Sequence, residues 1–122
     1  MIIGIGVDIC QVDRVAAMLE RHPGLMDRLF NSAESHTADG RPRSADSMAA
    51  RFCAKEALAK ALGSPGGMSW LDAEVITSAN GAPEFVIRGT VAARAAECAV
   101  QNIRLSLSHD GGLATAFVIC EG

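Results

Sequence analysis

The stretch Ile3-Gly4-Ile5-Gly6-Val7-Asp8-Ile9 constrains the fold of this 122-residue chain more than any other segment. Side chains alternate across a strand, so Ile3, Ile5, Val7 and Ile9 share one face while Gly4, Gly6 and Asp8 share the other. One face is apolar. The other is stripped to glycine until an acid closes the strand. The rest of the core has little bulk to offer, since aromatics are only 4% of the residues, with no Tyr, and small aliphatic side chains bury less area each. The length suits a single domain, residues 1–122, burying roughly two-thirds of the surface its unfolded chain exposes. That disfavours a two-domain enzyme with separate cofactor and substrate halves, and so lean a core favours added burial by self-association.

Beyond the first strand, Asp13 caps or opens a helix in which Val12, Val15, Ala16 and Leu19 repeat at helical spacing, and His22-Pro23-Gly24 stops it. Residues 25–30 suit a short helix. Residues 31–44 turn polar around Gly40 and Pro42 and read as a mobile loop. Residues 45–62 predict the strongest helix, with Asp46 as cap and Gly63 as stop. Strands follow at 71–77 and 85–87 around an Asn80-Gly81 turn. Thr90 caps a helix over 91–99, and strands at 103–108 and 114–120 pair across Asp110-Gly111-Gly112. This order predicts an α+β fold.

The net charge of −3 argues against a dedicated nucleic-acid binder. No apolar run has the length of a membrane span, and the first residues lack the basic leader of a signal peptide. Cys10, Cys53, Cys98 and Cys120 are scattered, without the tight spacing of a disulfide framework or a zinc site. A reduced, cytoplasmic protein is expected.

Three places could carry chemistry. Asp8 is either a strand-end residue capping the next helix through free backbone N–H groups or a buried carboxylate that needs a partner or a metal. On the long helix, 100° spacing puts Met48, Phe52, Ala59 and Leu62 on one stripe with Lys55 inside it. A cation there needs an anion or a snorkelling route, and an anionic ligand would supply the former. Glu56 and Lys60, one turn apart on the adjacent flank, taken alone are a solvated pair worth about 0.3–0.5 kcal/mol. Third, Ser106-Leu107-Ser108-His109-Asp110 ends a strand before two glycines. Adjacent residues point in different directions, so this is no hydrolase triad; His109 either donates to a phosphate or satisfies a backbone carbonyl. Cys53 has no basic neighbour to activate it and reads as a small core residue.

Taken together, these segments resemble the 4′-phosphopantetheinyl transferases. Ile5-Gly6-Val7-Asp8-Ile9 is similar to the family's first signature. Arg51-Phe52-Cys53-Ala54-Lys55-Glu56-Ala57-Leu58-Ala59-Lys60-Ala61-Leu62-Gly63 is similar to the second, and Leu107-Ser108-His109 to the closing strand. The short holo-acyl-carrier-protein synthase branch shares this order and spacing over nearly the whole chain. The continuation His109-Asp110-Gly111-Gly112 departs from the commoner pattern.

The resemblance implies an antiparallel sheet packed on a long helix, in a homotrimer with active sites between subunits. It implies transfer of the phosphopantetheine arm of coenzyme A to a serine of apo-acyl carrier protein, in fatty-acid synthesis with polyketide synthesis as a further role, with release of adenosine 3′,5′-bisphosphate. Asp8 and Glu56 would hold Mg²⁺, with Mn²⁺ as an alternative, because a hard cation of this kind is held by one or two carboxylates and completed by phosphate oxygens and water. Lys60 would stabilise charge or help remove a proton. Arg51, Lys60, Gly63, His109 and Asp110 would bind coenzyme A, and the glycines beside Asp8 would give its pyrophosphate room. Arg14 and Arg21, with Arg28 as an extension, would dock the acidic carrier.

Overall fold

A computed structural model describes all of residues 1–122. The chain runs β1 (Ile2–Gln11), α1 (Val12–Arg21), α2 (Pro23–Leu29), α3 (Ser32–Ser35), α4 (Ala45–Ala61), β2 (Ala73–Thr77), β3 (Pro83–Ile87), α5 (Gly89–Glu97), β4 (Asn102–Asp110) and β5 (Leu113–Glu121). The expected α+β order holds, with α3 added and a 3₁₀ turn at Trp70–Asp72 where the 71–77 strand was expected to begin. β1, β5 and β4 form one antiparallel sheet in that spatial order, and β2 and β3 form a separate antiparallel hairpin.

The register explains the glycine-stripped face. Gly4, Gly6, Asp8 and Cys10 of β1 stand opposite Cys120, Val118, Ala116 and Ala114 of β5. Those in turn stand opposite Ile103, Leu105, Leu107 and His109 of β4. This shared face is covered by α4. A Cβ at Gly4 would lie 2.0 Å from the Ala61 carbonyl oxygen, and one at Gly6 would lie 1.8 Å from that of Ala57. Two strand residues advance about 6.8 Å and four helical residues about 6.0 Å, so strand and helix stay in step. The glycines therefore admit a helix backbone. The space expected for a pyrophosphate is filled by α4.

α4 is buried on nearly every side, through Ala49, Ala50, Cys53, Ala54, Ala57 and Leu58 among others, and not along the single expected stripe. Its alanines let β1 and β5 approach closely, which compensates for the shortage of aromatic bulk. Ser44, not Asp46, caps it by accepting from the Ser47 N–H. Thr90 does not cap α5. Instead, Asp72 accepts from both the Thr90 N–H (2.8 Å) and its hydroxyl (2.7 Å), which holds the Asp72 carboxyl below its usual range.

The segment expected to be a mobile loop supplies a keystone of the core. Asn31 and Glu34 form a reciprocal capping box around α3. Glu34, fully buried, also accepts from the Lys55 ammonium at 2.9 Å and from the Val75 N–H at 3.0 Å. Lys55 further donates to the carbonyls of Leu29 and Trp70 and lies 4.9 Å from the centre of the Phe30 ring. Its anion is thus internal. Burial lowers the Lys55 pKa, while Glu34 pulls the other way.

The opposite sheet face has no cover. Ile5, Val7 and Ile9 are 54%, 54% and 65% exposed, and Phe117 and Leu113 extend the same apolar face. Alternation alone told which residues share a face, and the structure shows that the glycine side, not the isoleucine side, meets the core.

Candidate active site

β1 continues three residues past Asp8, so Asp8 is not a strand-end cap; α1 begins at Val12 with no side-chain cap. Asp8 faces α4. Its carboxylate accepts from the Lys60 ammonium at 3.1 Å, and the same ammonium donates to the Val7 carbonyl at 3.0 Å. Lys60 thus spans back to the strand and forms its ion pair with Asp8, not with Glu56. The Asp8 side chain is 17% exposed and that of Lys60 51%, so one side of the group stays open to solvent.

Glu56 is close enough to feel the charges of both Asp8 and Lys60. Burial, then the charge of Asp8, holds its carboxyl above the usual carboxylate range, with Lys60 opposing. Two carboxylates within electrostatic reach, one lysine between strand and helix and an open side make a donor set that suits a hard divalent cation. No third His, Cys, Asp or Glu joins them.

A second group lies beyond the opposite edge of the sheet. Arg51, 5% exposed, donates to the Ser47 hydroxyl at 3.0 Å and the Thr77 hydroxyl at 3.3 Å. Its Nε is buried without a partner. Burial, reinforced by the Arg43 charge, brings the guanidinium down to about 10. Arg51 lines a cleft of about 260 Å³ with Ser47, Thr77, Pro83, Leu107 and His109. A buried cation with an unused donor, in a cleft with a histidine, suits an anion such as phosphate.

Within one chain these two groups do not meet. Asp8 is on edge strand β1, and the cleft adjoins β4, two strand spacings away, roughly 10 Å. Asp110 takes the opposite face from His109 and extends the uncovered side of the sheet. Gly63 turns the chain at φ +84°, and the space where its side chain would be holds the Arg94 guanidinium, whose Nε donates to the Leu62 carbonyl at 3.0 Å. Arg14 and Arg21 line one groove of about 540 Å³ with Cys10, Met18, His22 and Phe52, whereas Arg28 stands on α2 outside that lining. Glu34 was the charged core residue that sequence reasoning missed. Its only signal was the Asn31-x-x-Glu34 capping pattern inside a polar stretch.

A family model for the 4′-phosphopantetheinyl transferase superfamily matches residues 4–118. The chain belongs to this superfamily. The holo-[acyl-carrier-protein] synthase of Streptomyces avermitilis is 55% identical over 121 residues, covering 99% of this chain and 98% of that one. The synthase of Clavibacter michiganensis subsp. michiganensis is 56% identical over 122 residues, 100% of this chain and 98% of its own. Among solved structures, the Neisseria meningitidis synthase matches with a TM-score of 0.87 at 28% identity, covering both chains fully. The Helicobacter pylori synthase in complex with coenzyme A matches with a TM-score of 0.82 at 28% identity, over 96% of this chain and 99% of that one. This 4′-phosphopantetheinyl transferase superfamily member is therefore an enzyme of the holo-acyl-carrier-protein synthase kind, with the α+β fold of that group. None of its helices is long and apolar enough to cross a membrane.

Proposed function

We propose that the chain transfers the 4′-phosphopantetheine arm of coenzyme A to a serine hydroxyl of apo-acyl carrier protein in a magnesium-dependent reaction, releasing adenosine 3′,5′-bisphosphate. One observation carries this reading. Asp8 and Glu56, 48 residues apart in sequence, feel each other's charge across β1 and α4 beside the Asp8–Lys60 ion pair. Magnesium, or manganese in its place, held by Asp8 and Glu56 would neutralise charge on the pyrophosphate oxygens. The Lys60 ammonium, fixed by Asp8 and the Val7 carbonyl, meets the charge that develops on the reacting oxygens. Arg51 and His109 bind the nucleotide phosphates, and the unpartnered Arg51 Nε supports that role.

The two groups at opposite edges of the sheet form one site when a second copy supplies the missing half. The exposed apolar face of Ile5, Val7, Ile9 and Phe117 supports a homotrimer, since head-to-tail contacts close into rings. Asp110, on that face, is then placed toward the neighbouring subunit. Fatty-acid carriers, with polyketide carriers as further acceptors, and a cytoplasmic location belong to the same reading.

The test is mass spectrometry of apo-carrier protein incubated with coenzyme A and magnesium. A gain of about 340 Da, the phosphopantetheine increment, is expected, and its absence with several carriers offered overturns the assignment. Light scattering of the same sample should give three times the 12.7 kDa of one chain.

Arg14 and Arg21 are exposed along α1, two turns apart, and flank an apolar groove suited to an acidic partner. Reversing both charges (R14E with R21E) should raise KM for the carrier about tenfold at low salt, shrink the effect as salt rises, and leave kcat nearly unchanged. An unchanged KM would place the carrier elsewhere.

A further inference from the structure

Two thiols meet at the base of the groove beside α1. Cys10 is the last inward-facing residue of β1 and Cys53 lies on α4, 43 residues later, yet their sulfurs are 2.8 Å apart as a hydrogen-bonded pair. The sequence spacing gave no sign of this. The close approach of α4 to β1 at Gly4 and Gly6 brings the two sulfurs together. Cys53 is fully buried. Cys10 is partly exposed and lines the groove with Val15, Met18 and Phe52. A small oxidant therefore reaches one sulfur while the second waits behind it. Burial raises the pKa of both thiols, so the first oxidation is slow; what the geometry supplies is a resolving cysteine in contact with the first, which turns a sulfenic acid at Cys10 into a disulfide. Neither thiol is assigned to the transfer step itself, although Cys10 also lines the groove proposed for the carrier.

We propose that Cys10 and Cys53 form a reversible modification site, oxidised by hydroperoxides to an intramolecular disulfide that pins β1 to α4 and slows the enzyme. The Cys10 sulfur attacks a peroxide oxygen, so an S–O bond forms as the O–O bond breaks. With hydrogen peroxide, the departing hydroxide takes the thiol proton and leaves as water. The Cys53 sulfur then attacks the Cys10 sulfenic acid. The S–S bond forms, the S–O bond breaks, and a second water leaves with the Cys53 proton. The pair loses two electrons and one peroxide is reduced to two waters. A small dithiol reverses the change by thiol–disulfide exchange.

The consequence for activity rests on the proposed transfer reaction. Cys10 is two residues past Asp8 on β1, and Cys53 is three before Glu56 on α4. A bond between them constrains the two elements whose spacing sets the carboxylate pair. Displacements of about 1 Å at reacting groups cost up to about 10²-fold in rate, and a fall of about tenfold is expected here.

The reduced full-length protein is treated with hydrogen peroxide, denatured, alkylated and mapped by mass spectrometry. Alkylatable thiols should fall from four to two, with a linked Cys10–Cys53 peptide, and dithiothreitol should restore both thiols together with the transfer rate. Cys10→Ala and Cys53→Ala should each form no such link, and Cys53→Ala, whose buried side chain lies outside the groove, should lose no rate in peroxide. Full alkylation of both cysteines after peroxide, or links through Cys98, Cys120 or a second chain instead, overturns the site. A complete link with an unchanged rate overturns its effect on the enzyme. Absence of transfer in the reduced protein counts against the proposed function alone, because the thiol map is read independently.

Discussion

Replacing Glu56 by glutamine should lower magnesium-dependent transfer about 10²–10³-fold while raising the thermal midpoint measured without metal. The two effects have one origin. Burial, and then the charge of Asp8, lifts the Glu56 carboxyl above its usual range, with Lys60 only partly opposing. A carboxyl whose pKa rises on folding binds its proton more tightly in the folded state. The stability it contributes is fully present below the unfolded pKa of about 4.3 and is lost as pH rises through the folded value. At neutral pH the metal-free protein thus carries the cost of a half-buried carboxylate, and next to it the repulsion from Asp8, both of which the neutral amide relieves. Magnesium should raise the midpoint of the unaltered protein and leave that of Glu56→Gln unmoved. Asp8→Asn should lose a similar factor in rate, because it removes the other carboxylate and also frees Lys60 from its 3.1 Å ion pair. Transfer assays at pH 7 alongside melting curves with and without magnesium check both. A Glu56→Gln protein that keeps its rate, or melts lower without metal, contradicts the shared-ion reading.

How much of this was legible in the sequence differs between the cluster and the core, for physical reasons. Periodicity alone left Asp8 as a cap or a buried acid and Glu56 with Lys60 as a solvated pair; the resemblance to the transferase signatures is what joined the three. Nor does periodicity say what covers a face. The resemblance gave Gly4 and Gly6 to a ligand when they admit α4, and the isoleucine face is the one left open. Local capping was misread by a residue or two because several hydroxyls and acids compete near each helix start. Ser44 took the place of Asp46, and Asp72 reaches Thr90 from 18 residues away. Glu34 was hidden for the opposite reason. Polar composition around Gly40 and Pro42 reads as solvated loop, and only the tertiary approach of α4 turns one of those polar residues inward. The pairing of Cys10 with Cys53 is likewise a product of the helix–strand distance, which spacing in sequence cannot express.

Breaking the Lys55–Glu34 pair should produce the largest loss of stability in the molecule. Both side chains are essentially out of contact with water, at 2% and 0% exposure. Removing one partner leaves the other charge buried and unpaired, which costs about 3–5 kcal/mol. Lys55→Met strips Glu34 of its cation and also leaves the Leu29 and Trp70 carbonyls without their donor. Glu34→Gln keeps a carbonyl for the Val75 N–H and a shape that fits, so it should cost less than Glu34→Ala. The double replacement, Glu34→Gln with Lys55→Met, removes both charges and should recover part of the loss. Full recovery is not expected, since those two backbone carbonyls stay unsatisfied. Urea unfolding of the four variants measures this directly, and the double-mutant cycle should return a coupling of roughly 1–3 kcal/mol. The site offers a second readout. Lys55 is one residue before Glu56 on α4 but is tied to α2, α3 and the Trp70 turn, not to Asp8. A Lys55→Met protein that remains folded at low temperature should therefore bind magnesium normally. If it instead loses magnesium binding while its stability is unchanged, Lys55 belongs to the active site and not to the core.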